Sequence, residues 1–535
     1  MSETFGWLDF TVFGLMLASS SIIGMYFGFW GKRDNSTTEY LHGGKTMDMM
    51  PVAVSLVSSM ISGITIMGVP SEVYAYGSMY FLVVISAVIV GVINNYCYLP
   101  VFYGLQLTST YEYLELRFNK SVRIMASVLS TIFVLLTLPI VVYVPALSFS
   151  QVSGLSMYLV TPVITVICII YTMLGGLKAV VWTDVLQGVL MLVSSFAVII
   201  LGLNHVGGFA KVWDISGKGG RLRLFDMNPS PFARMTFWGT TIGNTLGWMW
   251  MIVNQAMVQK YLSLPTYSKA RNSLIIFYCG YALIICMCCL TGLLIYTTYH
   301  DCDPIKTKAI SRPDQILTYY VMDVTRSFPG LAGLFVAGIL SAALSTLSSN
   351  LNSLGATIFV DFVQPFTKGK LSDQMSSNII KAIVIGVGAV CIVLVFLVDK
   401  IGGILQGALA GSVCSLVFMT WLVFGTQKAV ADGIIKHPVL PTTAKGCGFN
   451  DTVQENAQVE STDQEAFVLF YVSFMYYPVL GIAIVLVVAT VVSLVTEPPN
   501  LHEMEPELFT PFVRRFLPRK EQSVEQEMLC RSTQQ

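Results

Sequence analysis

Apolar stretches long enough to cross a bilayer recur from Leu8 almost to the C-terminus of this 535-residue chain. Hydrocarbon offers backbone groups no partner, so a single crossing of about 20 apolar residues must be helical. Hydrophobic residues make up 54% of the chain and charged residues 12%; soluble domains carry about 25% charged residues. The pattern predicts an all-α polytopic membrane protein. About twelve spans are expected, at residues 8–30, 48–69, 80–104, 122–143, 157–176, 185–203, 236–259, 272–296, 330–352, 378–398, 402–426 and 473–495. The first has no basic segment before it and no small-residue cleavage pattern, and is expected to be retained. With 31 basic and 31 acidic residues the chain is not a broadly basic nucleic-acid binder.

Lys and Arg mark one set of loops. Lys32, Arg33 and Lys45 follow the first span, Arg117, Lys120 and Arg123 the third, and Lys178 the fifth. Lys260, Lys269 and Arg271 follow the seventh, and Lys368, Lys370 and Lys381 the ninth, whereas loops 70–79 and 144–156 contain neither residue type. Basic short loops stay in the cytosol. The N-terminus is therefore expected outside, with the long loops 204–235 and 297–329 external.

Two spans are too polar to face lipid all round. Span nine carries Leu344-Ser-Thr-Leu-Ser-Ser-Asn-Leu-Asn352, and span two carries Ser55, Ser58, Ser59, Ser62, Gly63 and Thr65 before Gly68 and Pro70. Hydroxyls and amides at membrane depth must face protein, water or an ion. A hard cation such as sodium is bound by several oxygens, and adjacent hydroxyls on one helix offer two of them. An unwound helix near Gly63 would free carbonyls for the cation and turn a half-helix N-terminus toward an anion. Close helix packing explains any single small residue; two such clusters in one chain argue for an ion-binding site.

Of the 11 cysteines, Cys279, Cys286, Cys288 and Cys289 crowd one apolar segment, where they are expected to pack as small hydrophobes. Cys302 and Cys447 stand in polar loops and can pair if both loops are extracellular. His42, His205, His300, His437 and His502 are scattered through loops and span ends. No catalytic pairing, metal-ligand spacing or nucleophile motif is present, so an enzyme is not expected.

Several strings occur in a family-like order. They are Gly68-Val-Pro-Ser-Glu-Val-Tyr-Ala-Tyr-Gly77, Thr108 to Asn119, Gly175 to Gln187, Asn254-Gln-Ala-Met-Val-Gln-Lys-Tyr261 and Asp301-Cys-Asp-Pro304. Together they resemble the sodium/solute symporter family, and specifically its monocarboxylate, multivitamin and iodide branch. The resemblance covers residues 5 to 408 and resumes near the C-terminus. It implies a LeuT-type core of two inverted five-helix repeats with an extra N-terminal helix. The extra span and a cytosolic loop would occupy 1–47, the first repeat 48–203, an external loop 204–235 and the second repeat 236–426. A polar loop at 427–472, a last span at 473–495 and a tail at 496–535 would follow.

The implied activity is sodium-coupled symport of a small organic anion, a monocarboxylate or vitamin carboxylate, by alternating access in the plasma membrane. Ser58, Ile61 and Ala342 match carbonyl donors to sodium, and Ser345 and Thr346 match hydroxyl ligands. Asp184 matches a carboxylate kept near that site, although a helix cap is an equal reading of it. Tyr143 matches a cavity-facing tyrosine, and Thr65 stands where iodide carriers have glutamine. Trp248 and Asn254, with Trp250 and Gln255 beside them, are further candidates for substrate contact. The implied partners are sodium, a small anion and the lipid bilayer, with no nucleic acid; self-association stays open. Sodium is the coupling ion, and no cofactor is expected.

The chain departs from that family after Ala410, where about one span of residues is missing before Gly411 to Gly425. An external N-terminus and twelve spans would put the C-terminus outside, yet Arg514, Arg515, Arg519 and Lys520 favour the cytosol. The shortened repeat makes a non-transporting regulatory form or sensor one alternative; a symporter of iodide or another solute is the other.

Overall fold

The structure is a computed structural model that describes residues 5–30, 37–310, 312–367, 371–401, 413–435, 439–447, 466–495 and 510. Among the described residues every regular element is helical. Within these residues seven helical runs, or eight counting one bent pair, are long and apolar enough to cross a bilayer. The elements used below are α1 (Trp7–Trp30), α2 (Met49–Met60), α3 (Gly63–Tyr76), α4 (Ser78–Leu105), α5 (Lys120–Ser153) and α6 (Met157–Val206). They continue as α7 (Gln255–Leu262), α8 (Tyr267–Tyr299), α9 (Leu331–Thr367), α10 (Asp373–Ile401), α11 (Val413–Ala431) and α12 (Tyr477–Val495).

The expected break in span two is present. Its second half, α3, is bent by 58° from the direction of the first, α2. Ile61 (φ −87°, ψ 109°) and Ser62 (φ −92°, ψ 164°) are extended between them. Gly63 opens α3 because α5 passes close by: a Cβ there would lie 2.3 Å from Pro145 Cγ.

Other boundaries differ from those expected. α5 starts on Asn119, whose side chain accepts the Val122 amide at 3.0 Å, and it runs to Ser153. Most of the expected loop 144–156 is therefore helix, because its apolar residues continue the span despite Pro145. Spans five and six are not separated by a loop over 177–184. They are two arms of α6, whose 50 residues would measure about 75 Å if straight. That is more than twice a hydrocarbon core of about 30 Å. Gly176, at φ 57° and ψ −149°, turns the chain between the arms; a Cβ there would also meet the Tyr40 carbonyl at 2.7 Å. Asp184 consequently lies well inside the second arm, not at its start, and the capping reading does not hold.

Span seven is not one helix. A π turn (Gly239–Gly243), a short helix (Asn244–Trp248) and a 3-10 turn (Met249–Met251) precede a non-helical link, and α7 then begins. Lys260, expected in a basic loop, is on α7 and only 1% exposed. Span nine continues as α9 well past residue 352. Span eleven is represented by α11; residues 402–412, which include the expected departure after Ala410, lie outside the described residues.

α9 is the central element, packed most extensively on α6 and also on α5, α1, α10 and α2. One large apolar cluster joins these helices to α3 and α8, and it includes Cys288 and Cys289. Cys302, just beyond α8, and Cys447 form a disulfide.

Candidate functional site

A helix leaves its last carbonyls without donors of its own. α2 ends in mid-bundle, so the carbonyls around Ser58 to Ile61 are released inside the protein and not at a wet surface; Ile61 is fully buried. α9 brings its hydroxyls to this end. Ser345 Oγ donates to Ser58 Oγ at 3.2 Å. Thr346 Oγ1 lies 3.0 Å from both the Ser59 and the Ala342 carbonyls. Ser58, Ala342, Ser345 and Thr346 are thus assembled in one place, with Ile61 adjoining as the extended residue that closes α2. The cluster is made of neutral oxygens, the donor chemistry that suits an alkali cation.

Asp184 sits beside this cluster on α6, fully buried. Its Oδ2 accepts Ser55 Oγ at 2.7 Å, Ser349 Oγ at 3.1 Å and Lys260 Nζ at 2.8 Å, and its Oδ1 accepts Ser348 Oγ at 3.4 Å. The carboxylate is thus tied to α2, α7 and α9 together. Lys260 is the partner that sequence reasoning missed. Only its apolar neighbours Val258, Tyr261 and Leu262 hinted at burial, and a basic residue after a span reads first as a loop charge.

The substrate candidates are less closely gathered. Thr65 is in the first turn of α3, its amide donating to Ser62 O at 3.0 Å and its hydroxyl 3.5 Å from Ser62 Oγ. Tyr143 is half-buried on α5, one turn or less from the Pro145 that abuts Gly63. Trp248 stands edge-on to Tyr281 of α8 at 4.9 Å, next to Gly280, which packs against Val57 of α2. Thr65 and Tyr143 thus lie on elements that border the break, and Trp248 is linked to α2 only by way of α8. Asn254 does not join them: its side chain caps α7 by accepting the Met257 amide at 3.3 Å. The following Gln255 binds the loop after α4, through the Thr110 amide at 2.8 Å and the Thr108 carbonyl at 2.7 Å. Trp250 is 44% exposed and faces Phe133.

Known proteins share both the sequence and the architecture. Sodium-coupled monocarboxylate transporter 1 of Xenopus laevis is 35% identical over 91% of this chain and 85% of its own length. The Homo sapiens transporter of that name is 36% identical over 92% of this chain and 88% of its own. Sodium-coupled monocarboxylate transporter 2 of Mus musculus is 34% identical over 95% and 87%. In architecture the chain is similar to an outward-open, substrate-bound Na+-coupled sialic acid symporter. The TM-score is 0.74 at 23% identity, over 93% of this chain and 99% of that one. The fold is accordingly LeuT-type. Residues 40–431 match the sodium:solute symporter family, and with these relatives the match shows that the chain belongs to that family.

Proposed function

We propose that the chain is a sodium-coupled symporter of small organic anions, monocarboxylates first and vitamin carboxylates second, acting by alternating access in the plasma membrane. Sodium is held by the carbonyls of Ser58, Ile61 and Ala342 and by the hydroxyls of Ser345 and Thr346. The observation that carries this reading is the approach of those two α9 hydroxyls to the released end of α2, at 3.2 Å and 3.0 Å. Neutral oxygens replace a hydration shell without binding the ion too tightly to let it go. α3 starts at the same break, and the positive end of its dipole attracts a carboxylate. Thr65, Tyr143 and Trp248 are the proposed substrate contacts. The identity of 35–36% to sodium-coupled monocarboxylate transporters supports the substrate class.

The same reading divides the chain into a first repeat at 48–203 and a second from 236, with the N-terminus outside. The Cys302–Cys447 disulfide needs an oxidising compartment and agrees with external loops at both cysteines. Each sodium ion entering down the membrane potential contributes about 2.3 kcal/mol per 100 mV. Two ions with one monocarboxylate would carry net positive charge inward, so voltage would drive accumulation.

The test is uptake of radiolabelled lactate and pyruvate by cells expressing the full chain, in sodium and in choline. Uptake is expected to need sodium. It should fall about tenfold or more in Ser345→Ala/Thr346→Ala, equivalent to about 1.4 kcal/mol or more of lost binding, with surface expression retained. Undiminished uptake in choline would overturn the reading. Sodium-evoked current without accumulation would favour the non-transporting form.

A further inference from the structure

We propose that Lys260 is a positioning residue for sodium coupling: its ammonium group neutralises Asp184 and fixes the end of α2, so that Asp184 orders the sodium seat without ligating the ion. This rests on the sodium site described above. A fully buried lysine is costly unless all its protons are bonded and its charge is paired. Lys260 meets both conditions, with Asp184 Oδ2 at 2.8 Å, Ser349 Oγ at 2.7 Å and the Ser55 carbonyl at 3.2 Å. Those partners sit on α6, α9 and α2, the three elements whose mutual placement builds the cation cluster.

The link to the cluster is short. The Ser55 carbonyl that receives Lys260 also accepts Ser58 Oγ at 3.3 Å, and Ser58 Oγ accepts Ser345 Oγ at 3.2 Å. On the α9 side Ser348 Oγ, which donates to Asp184 Oδ1, lies 3.1 Å from the Ser345 carbonyl. The ammonium group therefore reaches Ser345 through Ser55 and Ser58. α7 itself is held at its first residue by Gln255 on the Thr108–Thr110 loop, and at mid-helix by Gln259 Nε2 on the Leu41 carbonyl at 2.5 Å. The lysine is consequently presented from a fixed support. With its charge already matched, Asp184 has no need of a second cation, and selection of sodium is left to the neutral oxygens.

A purely structural pair would serve only to cancel its own two charges. Two variants separate the cases, in sodium titrations of lactate uptake normalised to surface protein. Asp184→Asn/Lys260→Met removes both charges and leaves the Ser55 carbonyl without its ammonium partner. Lys260→Arg keeps the charge, but its planar donors do not fit three partners arranged around one nitrogen. In both variants the sodium concentration for half-maximal uptake is expected to rise about fivefold or more, the usual lower range of coupling between sites. Maximal uptake should fall less. A wild-type sodium requirement in either variant would show that the pair only neutralises itself, and the proposal would be overturned. Lack of any sodium dependence in the unmodified protein would instead overturn the symport reading on which it rests.

Discussion

The two ends of the bundle are each closed around an arginine, but by different chemistry. At one end Asp361 of α9, its side chain fully buried, accepts Arg123 Nε at 3.0 Å and Nη2 at 2.7 Å. Ser109 Oγ adds a bond at 2.9 Å, Ser127 Oγ adds another, and Arg123 Nη1 also meets Glu115 at 2.6 Å. At the other end Arg221, equally buried, donates to backbone carbonyls: Gly219 and Pro441 at 2.8 Å, Tyr74 and Leu440 at 3.3 Å. Its guanidinium lies 3.8 Å over the Tyr296 ring. Burial draws that guanidinium below the ordinary arginine value, against the opposing pull of Tyr296, Tyr74 and Asp303. α4 connects the two ends. Its first amide bonds the Arg221 carbonyl at 2.8 Å, and its 28 residues, about 42 Å of helix, lead to the Ser109 loop. One end is thus locked by paired charges between α5 and α9, the other by neutral carbonyls and an aromatic face around the end of α3.

Removing the carboxylate of the buried pair leaves Arg123 with Glu115 alone and takes the charged acceptor from the Ser109 and Ser127 hydroxyls, whereas removing an arginine from carbonyls strands only dipoles. The largest loss is therefore expected for Asp361→Asn. It should destabilise the protein by about 3–5 kcal/mol, read as a lowered midpoint of thermal unfolding in detergent and a reduced surface fraction. A midpoint within a degree or two of the parent would remove the charge-locked half of the comparison.

Cys302→Ser tests the covalent part of the other end. The disulfide closes a separation of 145 residues and ties the 439–447 segment down. There the Leu440 amide bonds the Ala75 carbonyl at 3.0 Å, and the Gly446 amide bonds the Asp301 carbonyl at 2.9 Å. A loss of about 2–4 kcal/mol is expected, and a reducing agent should lower the parent's unfolding midpoint but leave the variant's unchanged. Equal sensitivity of the two proteins to reductant would contradict it.

How far the sequence announced these features depends on the range of the contacts. The break between α2 and α3 was legible because serines and Gly63 mark it locally, and the hydroxyl run of α9 was legible because lipid tolerates no such run. The turn at Gly176 was misread as a loop. Lys178 and Asp184 made that stretch look polar, but Asp184 is buried against Ser55 and Lys260, and the half-buried Lys178 pairs with Glu39, 139 residues away. Asp361 likewise follows an apolar run and reads as the first wet residue. Only its meeting with Arg123, 238 residues earlier, takes it out of water. Local pattern carries the helices and their interruptions; charges that are buried by distant partners carry no local mark.

Arg221→Lys comes next in size. Lysine keeps the charge but loses the ring face and the fork that spans Gly219, Tyr74, Leu440 and Pro441, for an expected cost of about 2 kcal/mol. A loss as large as that of Asp361→Asn would mean that a carbonyl cage holds as firmly as an ion pair, and the contrast between the ends would collapse.

The smallest effect is expected where the carbonyl-held end borrows the chemistry of the other. Arg234 Nη2 reaches both Glu72 oxygens, at 2.9 Å and 3.1 Å, and the guanidinium lies 4.0 Å over Tyr76, an arginine–carboxylate pair like that of Arg123, which sets two nitrogens on one Asp361 oxygen. The difference is water: the Arg234 and Glu72 side chains keep 25% and 19% exposure, whereas Asp361 keeps none. Solvent screens the pair and rehydrates whichever partner is left, so Glu72→Gln should cost about 1 kcal/mol or less. Thermal unfolding of Glu72→Gln beside Asp361→Asn measures this directly, because both changes delete one carboxylate charge opposite one arginine. If the two midpoints fall equally, geometry and not desolvation decides the strength of these locks. A several-fold smaller drop for Glu72→Gln makes burial of the carboxylate the quantity that sets one end of the molecule apart from the other.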